Sequence, residues 1–180
     1  RIVLALQALV SRETNPTDPA VVTVGSIHGG TKHNIIPDEV KLQITVRSYS
    51  EQTREQILTS IRRIATGMAK AAGIPDDRMP VMEVVSDDFT PATFNDPALV
   101  KRMVAMWKKL LGGDRVVERD PEMGGEDFSQ FGKDQEPKIP IFLMRVGTID
   151  AERIAAAKQG GPPLPSLHSP LYWPAPHPTI

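Results

Sequence analysis

The sequence contains no cysteine among its 180 residues. This absence excludes disulfide bonds, CxxC zinc sites and thiol nucleophiles within this stretch. No apolar run approaches the ~18 residues that a membrane-spanning helix requires. A GxSxG nucleophile elbow and a phosphate-cradling glycine loop are also missing, so neither a serine hydrolase site nor a nucleotide site has support.

An excess of charge of one sign is missing as well. Lys and Arg total 21 and Asp and Glu total 22, which gives a net charge of −1. The basic residues are dispersed, so we expect neither a nucleic acid nor a membrane surface as partner. An apolar fraction of 40% and a charged fraction of 24% are typical of a soluble globular protein of one large or two small domains.

The ends of the sequence suggest part of a longer protein. A helical pattern begins at Ile2 with no signal peptide before it, and the sequence ends just past a proline-rich loop at 160–178. We therefore expect an N-terminally incomplete, cytoplasmic chain.

The first half of the sequence is predicted to be a small α+β sandwich, with one sheet and helices on one face. Strict alternation from Val40 to Arg47 points Arg47 away from the core. Ser50 is the expected N-cap of the following helix and Gly73 its C-terminal stop. The expected core face of this strand is Val40, Leu42, Ile44 and Val46. The predicted elements are helices at 2–10 and 51–72 and strands at 20–27, 40–47 and 80–85.

The second half is predicted to begin at a crossing near residues 89–93. A helix with Pro97 in its first turn should be capped by Asn95 or Asp96 and should end at Gly112. A short strand is expected at 115–118. A near-continuous apolar strand is expected at 139–146, as in a sheet that is buried on both faces.

The first candidate for chemistry is the glycine-rich stretch around Asn34, together with Arg47. The simplest interpretation is a hairpin connection and an exposed arginine. Apolar residues follow Asn34, however, where an ordinary turn would be polar. The Arg47 guanidinium could bind a carboxylate through two parallel hydrogen bonds.

Two further stretches could also carry chemistry. Gly124, Gly125, Glu126 and Asp127 could form a helix cap, or they could line a ligand pocket with close backbone approach. His168 lies in a proline-stiffened loop and could be a metal ligand, although a lone loop histidine usually is not. The bulky residues that follow it argue against a disordered tail. His28, His33 and His177 are interpreted as surface or pocket-rim residues.

Six motifs in this order resemble the zinc-peptidase-like amidohydrolases, a group that includes aminoacylase, hippurate hydrolase and indole-acetyl-amino-acid hydrolase. The match covers nearly the whole sequence. His33 departs from the pattern, because an apolar residue more often precedes the family's asparagine. The motifs are Leu6-Gln7 with Ser11-Arg12-Glu13, Gly29-Gly30-Thr31 with Asn34-Ile35-Ile36-Pro37-Asp38, Arg47, Phe94-Asn95-Asp96-Pro97, Gly124-Gly125-Glu126-Asp127-Phe128 and Leu167-His168-Ser169-Pro170.

The resemblance implies a ferredoxin-like α+β lid and dimerisation domain at residues 1–90. It implies the C-terminal portion of an α/β catalytic domain at 91–180. The substrate carboxylate would be bound by Asn34 and Arg47, often across the dimer. Gly125, Glu126 and Asp127 would line the pocket, and His168 would be the last metal ligand. The general base and the other metal ligands would lie outside this chain, so no catalytic residue is assigned.

The activity implied is hydrolysis of the amide bond of N-acyl amino acids or small peptides by a homodimer. The resemblance also implies two divalent metals per complete site, which could be zinc, manganese, cobalt or nickel. His168 with Glu126 or Asp127 supplies too few donors for a catalytic site, which needs at least three protein ligands. A stand-alone α+β dimerisation or ligand-binding module therefore remains the alternative.

Overall fold

A computed structural model of the chain describes residues 1–85, 89–133 and 137–175. The chain divides into two compact units. Unit 1 consists of Arg1–Phe94 and Asp120–Ile139, and unit 2 consists of Asn95–Arg119 and Pro140–Ile180. The mixed helix and strand class expected from the sequence is confirmed.

Unit 1 is built on a two-stranded antiparallel sheet. Strand β1 spans Ala20–Gly29 and β2 spans Val40–Ser48, with one irregularity in the register between Val24 and Ser26. The alternation predicted for β2 is confirmed for most of its length, because Leu42, Ile44 and Val46 are partly covered while the residues between them are exposed. Val40 is the exception at 56% exposed, and it pairs with Gly29 at the hairpin end of the strand.

Two helices cover one face of this sheet. Helix α1 spans Ile2–Ala8 and continues as a π-helical turn at Leu9–Glu13, while α2 spans Glu51–Ala71. The predicted cap of α2 is confirmed, since the Ser50 hydroxyl accepts a hydrogen bond from the Thr53 amide at 3.1 Å. Gly73 follows α2 with φ of 73°, a conformation that glycine adopts without strain. The buried core is Leu6, Leu9, Ile57 and Ile61.

Unit 2 has less of its own core. Helix α3 spans Pro97–Leu111 and has no buried residue, although its N-cap is well formed by Asp96, whose Oδ1 accepts from the Leu99 amide at 2.7 Å. A further helix, α4, spans Ala151–Lys158 and was not predicted from the sequence. Among the residues of unit 2 that the structure describes, Ile141 is the one buried apolar side chain.

Three predicted strands are wrong. Residues 80–85, 115–118 and 139–146 form no strand, and 113–115 is instead a turn of 3-10 helix. A strand needs a neighbouring strand to satisfy its backbone groups, and the structure pairs only β1 with β2 within the described ranges. Some apolar side chains of 139–146 are accordingly half exposed, as at Ile139 and Val146, although Ile141 is buried. No helix in the described ranges is both long and apolar enough to cross a bilayer.

Candidate functional site

Arg47 lies near the C-terminal end of β2, opposite Val21 in the ladder. Its side chain is on the exposed face of the sheet, as the alternation predicted. The Nη1 atom donates a hydrogen bond to the backbone carbonyl of Met123 at 2.5 Å. The structure therefore places Arg47 beside the glycine-rich Gly124-Gly125 stretch, which lies about 76 residues later in the sequence.

The stretch from Gly125 to Asp127 leads into a short 3-10 helix at Asp127–Gly132. The Glu126 carboxylate accepts from the Phe128 amide at 3.4 Å, which is the capping arrangement weighed from the sequence. Asp127 is exposed. A Cβ atom at Gly125 would lie 3.2 Å from the Thr90 hydroxyl oxygen, so glycine permits the close packing of this loop.

Asn34 lies in the connection between β1 and β2, where all residues from 30 to 39 are exposed. The hairpin end of the ladder is the pair Gly29 and Val40, whereas Arg47 lies near the opposite end. Seven residues of strand separate Val40 from Arg47, which corresponds to roughly 23 Å. The pairing of β1 with β2 therefore places Asn34 and Arg47 near opposite ends of the sheet.

His168 lies in unit 2, exposed at the tip of a turn that is closed by the Ser169 amide donating to the Ser166 carbonyl at 3.0 Å. The following residues are anchored. The Tyr172 and Thr148 hydroxyls share a hydrogen bond, and Arg153 donates to the Trp173 carbonyl at 2.8 Å.

No group of three or more His, Asp or Glu side chains that could hold a metal forms among residues 1–85, 89–133 and 137–175. His168 is a single donor, and a metal ion in a protein needs several. These residues therefore do not make up a metal site by themselves. His28 and His33 are exposed, and His177 lies outside the described residues.

A separate group of charged and polar side chains links the π-helical turn after α1 to helix α2. Arg63 forms an ion pair with Glu13, and Gln56 donates to the Glu13 carbonyl at 2.6 Å. The Arg63 guanidinium, together with the Ser60 hydroxyl, lowers the pKa of Glu13 below its ordinary value of 4.5. The cluster involves none of the predicted site residues, so we interpret it as a contact that stabilises the fold.

Two features around Arg47 and the Gly124-Gly125 stretch were not indicated by the sequence. One is the Met123 carbonyl, since any residue supplies such an acceptor. The other is Phe89, whose ring has the Arg54 guanidinium carbon 4.2 Å and the Lys133 ammonium 4.9 Å from its centre.

Two depressions of about 450 and 420 Å³ occur in unit 1, and none of the predicted site residues lines either one.

Comparison with known proteins identifies residues 1–72 with the family described as "Peptidase dimerisation domain". The chain is 34% identical over 95% of its length to "IAA-amino acid hydrolase ILR1-like 2" of Arabidopsis thaliana, of which it covers 35%. It is 33% identical over 79% of its length to "Thermostable carboxypeptidase 2" of Saccharolobus solfataricus, of which it covers 34%. The chain thus spans about a third of the length of these relatives.

One solved structure, from methicillin-resistant Staphylococcus aureus and assigned as an aminohydrolase, is also similar. It matches with a TM-score of 0.59 and 30% identity, over 73% of this chain and 32% of the other. The likeness extends to an N-acetyldiaminopimelate deacetylase of Leuconostoc citreum, which is 32% identical over 87% of this chain, and of which the chain covers 38%. The names of these similar proteins are those of an amino acid hydrolase, a carboxypeptidase, an aminohydrolase and a deacetylase.

Proposed function

Because the chain belongs to the peptidase and amidohydrolase family that carries this dimerisation domain, we propose that it serves in hydrolysing the amide bond of N-acyl amino acids or small peptides. The reaction would be metal-dependent and would take place in a longer polypeptide. The longer polypeptide is supported by the share of its relatives' length that the chain spans, which is about a third.

The main support for this proposal comes from the surroundings of Arg47. Its guanidinium is exposed, and among the described residues its hydrogen-bond partner is a neutral carbonyl. A cation that no carboxylate compensates is suited to binding an anionic ligand. The substrates proposed all carry a carboxylate next to the scissile amide, and holding that carboxylate positions the amide for attack.

The other site residues are assigned lesser roles. Asn34 would contact the substrate from the hairpin loop. Because the ladder separates this loop from Arg47 by roughly 23 Å, we propose that the two residues serve different subunits of a homodimer, or different parts of the substrate. Gly125, Glu126 and Asp127 would line the pocket beside Arg47.

His168 would donate to a divalent metal whose other ligands lie outside the described residues. Neutral imidazole is the commonest metal ligand among side chains, and this single donor does not identify which of zinc, manganese, cobalt or nickel is bound. The turn that carries His168 is anchored on its C-terminal side through Tyr172 and Trp173.

The alternative is a stand-alone α+β module that dimerises or binds a ligand without catalysis. It is favoured by the same donor count and by the family match to a dimerisation domain at residues 1–72. Both alternatives include a dimer. They differ in whether the native polypeptide turns over substrate.

Assay of the full-length gene product against a panel of N-acyl amino acids and dipeptides separates the two alternatives. We expect turnover that scales with protein concentration and is abolished by a chelator. Activity should return when divalent metal is added back. A full-length product that binds these compounds but releases no free amino acid would favour the binding module.

A further inference from the structure

We propose that residues 120–133 form a strap whose Met123 carbonyl positions the Arg47 guanidinium for a carboxylate ligand. The strap is separated from β2 in sequence but belongs to the same compact unit. This inference rests on the proposed carboxylate-binding role of Arg47, and it adds that the strap sets the orientation of that side chain.

The strap is attached to the rest of unit 1 near both of its ends. Near one end, Met123 accepts the hydrogen bond from Arg47. Near the other, Gln130 donates to the Phe89 carbonyl at 2.9 Å, and Lys133 lies against the Phe89 ring. Two separate attachments restrict the strap more than one would, so its carbonyl groups keep a fixed direction.

The middle of the strap is held by one contact within the strap and by one contact with Thr90. Ser129 is 3% exposed, and its hydroxyl donates to the Glu126 carbonyl at 2.7 Å. Gly125 packs against Thr90, where an added Cβ would lie 3.2 Å from the hydroxyl oxygen. The segment between Met123 and Ser129 therefore has little room to shift without losing one of these contacts.

The chemistry of the acceptor explains why the strap positions Arg47 and does not neutralise it. A guanidinium has five N–H donors in a planar fork, and a single carbonyl oxygen occupies one of them. Within the described ranges Arg47 forms no ion pair, so its positive charge remains available. A ligand carboxylate can take the remaining donors while Met123 keeps its own.

The strap and the ligand should therefore stabilise each other. Both act on the same guanidinium through different donors, and coupling between two binding events is reciprocal. A carboxylate bound to Arg47 should make opening of the strap rarer. Removal of Arg47 should make it more frequent.

Hydrogen exchange of the Ser129 amide in the 180-residue chain measures this opening, because that amide donates to the Glu126 carbonyl at 3.1 Å. We expect exchange about three- to tenfold faster in Arg47→Ala, since one solvent-exposed hydrogen bond of ordinary strength is lost. Arg47→Lys should fall between Arg47→Ala and wild type. Arg62→Ala is the matched control. Arg62 is an exposed arginine of the same unit, and its side chain makes no hydrogen bond or ion pair with any described residue, so this variant should exchange like wild type.

A second pair of variants moves the strap without altering Arg47. Gly125→Ala should speed Ser129 exchange, because its new methyl group meets the Thr90 hydroxyl. Adding Thr90→Ala removes that oxygen and should restore exchange toward wild type. Faster exchange in Gly125→Ala would show that the Ser129 amide reports opening of the strap, and wild-type exchange in Arg47→Ala would then overturn the proposal.

The ligand arm uses N-acetyl-phenylalanine as the probe, with its carboxamide as control. At about three times its Kd, the acid should slow Ser129 exchange in the wild-type chain about fourfold, while the carboxamide should have no effect. Faster exchange in Arg47→Ala without a response to the acid would mean that the strap holds Arg47 but that the proposed carboxylate role is wrong. A response to the acid with unchanged exchange in Arg47→Ala would leave that role intact and would overturn the strap.

Discussion

The side-chain amide of Asn95 makes two hydrogen bonds with the backbone of Leu143. Its Nδ2 donates to the Leu143 carbonyl at 2.8 Å, and its Oδ1 accepts from the Leu143 amide at 2.7 Å. Beside it, the Asp96 amide donates to the Ile141 carbonyl at 2.9 Å. Asn95 thus satisfies an extended segment that has no neighbouring strand among the described residues, and Asp96 alone caps α3.

The first prediction concerns this pair. Asn95→Asp keeps the acceptor but replaces the donor with an oxygen that faces the Leu143 carbonyl, so one hydrogen bond is lost and repulsion is added. We expect the free energy of opening at the Leu143 amide to fall by about 1–3 kcal/mol, measured by hydrogen exchange. Asn34→Ala, which alters an exposed asparagine, should change it by less than ~0.5 kcal/mol. Equal protection in Asn95→Asp and wild type would contradict the bridging role.

The second prediction is a pH dependence of stability. The pKa of Glu13 is lowered in the folded chain by Arg63 and Ser60. The stabilisation is therefore complete above the ordinary value of 4.5 and is lost as the pH falls below it and through the folded pKa.

Thermal unfolding from pH 7 to pH 3 tests this. Glu13→Gln should have a lower Tm than wild type near pH 7, and the difference should shrink toward pH 3. Glu118→Gln, at an exposed position without an ion pair to any described residue, should show no such pH-dependent difference. A Glu13→Gln difference that stays constant with pH would show that the ion pair adds nothing to stability.

The contacts of Asn95 with Leu143 and of Glu13 with Arg63 illustrate how far the sequence predicts the structure. Helix α2, its Ser50 cap and the exposed side of Arg47 follow from local patterns, and the structure confirms all three. Residues 139–146 have the composition of a buried strand, but a strand depends on a neighbour that local sequence does not specify. Asn95 was predicted only as one of two possible caps, because its partner lies 48 residues away.

The candidate site shows the same limit. Residue type, local sequence pattern and the family resemblance indicated a set of groups able to bind a ligand or metal: Asn34, Arg47, Gly125, Glu126, Asp127 and His168. The contact between Arg47 and the Met123 carbonyl could not be predicted, since every residue offers a backbone carbonyl and the choice depends on the fold. Helix α4 escaped prediction because an alanine-rich segment of eight residues has a weak apolar periodicity.

The third prediction is that the 180-residue chain alone does not hydrolyse N-acetyl or N-benzoyl amino acids, even with added divalent metal. The reason is that the chain spans about a third of its relatives' length and that His168 is a single proposed metal donor, whereas a catalytic metal site uses at least three protein ligands. Release of free amino acid is the measurement, with the full-length gene product as positive control. Turnover by the purified chain that scales with its concentration and stops with chelator would refute the prediction.

The fourth prediction assigns His168 in the full-length gene product. His168→Ala should lower the metal content per polypeptide and nearly abolish turnover, because one of few ligands is lost. Elemental analysis measures the metal, and His28→Ala at an exposed strand residue is the control that should retain it. Normal metal content in His168→Ala would remove His168 from the ligand set.

The last prediction concerns Arg47 in the full-length gene product. If the guanidinium holds the substrate carboxylate, Arg47→Ala should lose roughly 2–5 kcal/mol of interaction in a closed cleft. This corresponds to a loss of about 30-fold to several-thousand-fold in kcat/KM. Arg47→Lys should recover only part of it, because an ammonium group cannot reproduce the planar fork.

The decisive measurement is kcat/KM for one N-acyl amino acid and for its carboxamide, each with the wild-type and the Arg47→Ala full-length gene product. We predict a large loss for the acid and almost none for the carboxamide, because only the acid has a charge for Arg47 to bind. An equal loss for both substrates, or no loss for either, would contradict the carboxylate-binding role on which the proposed function depends.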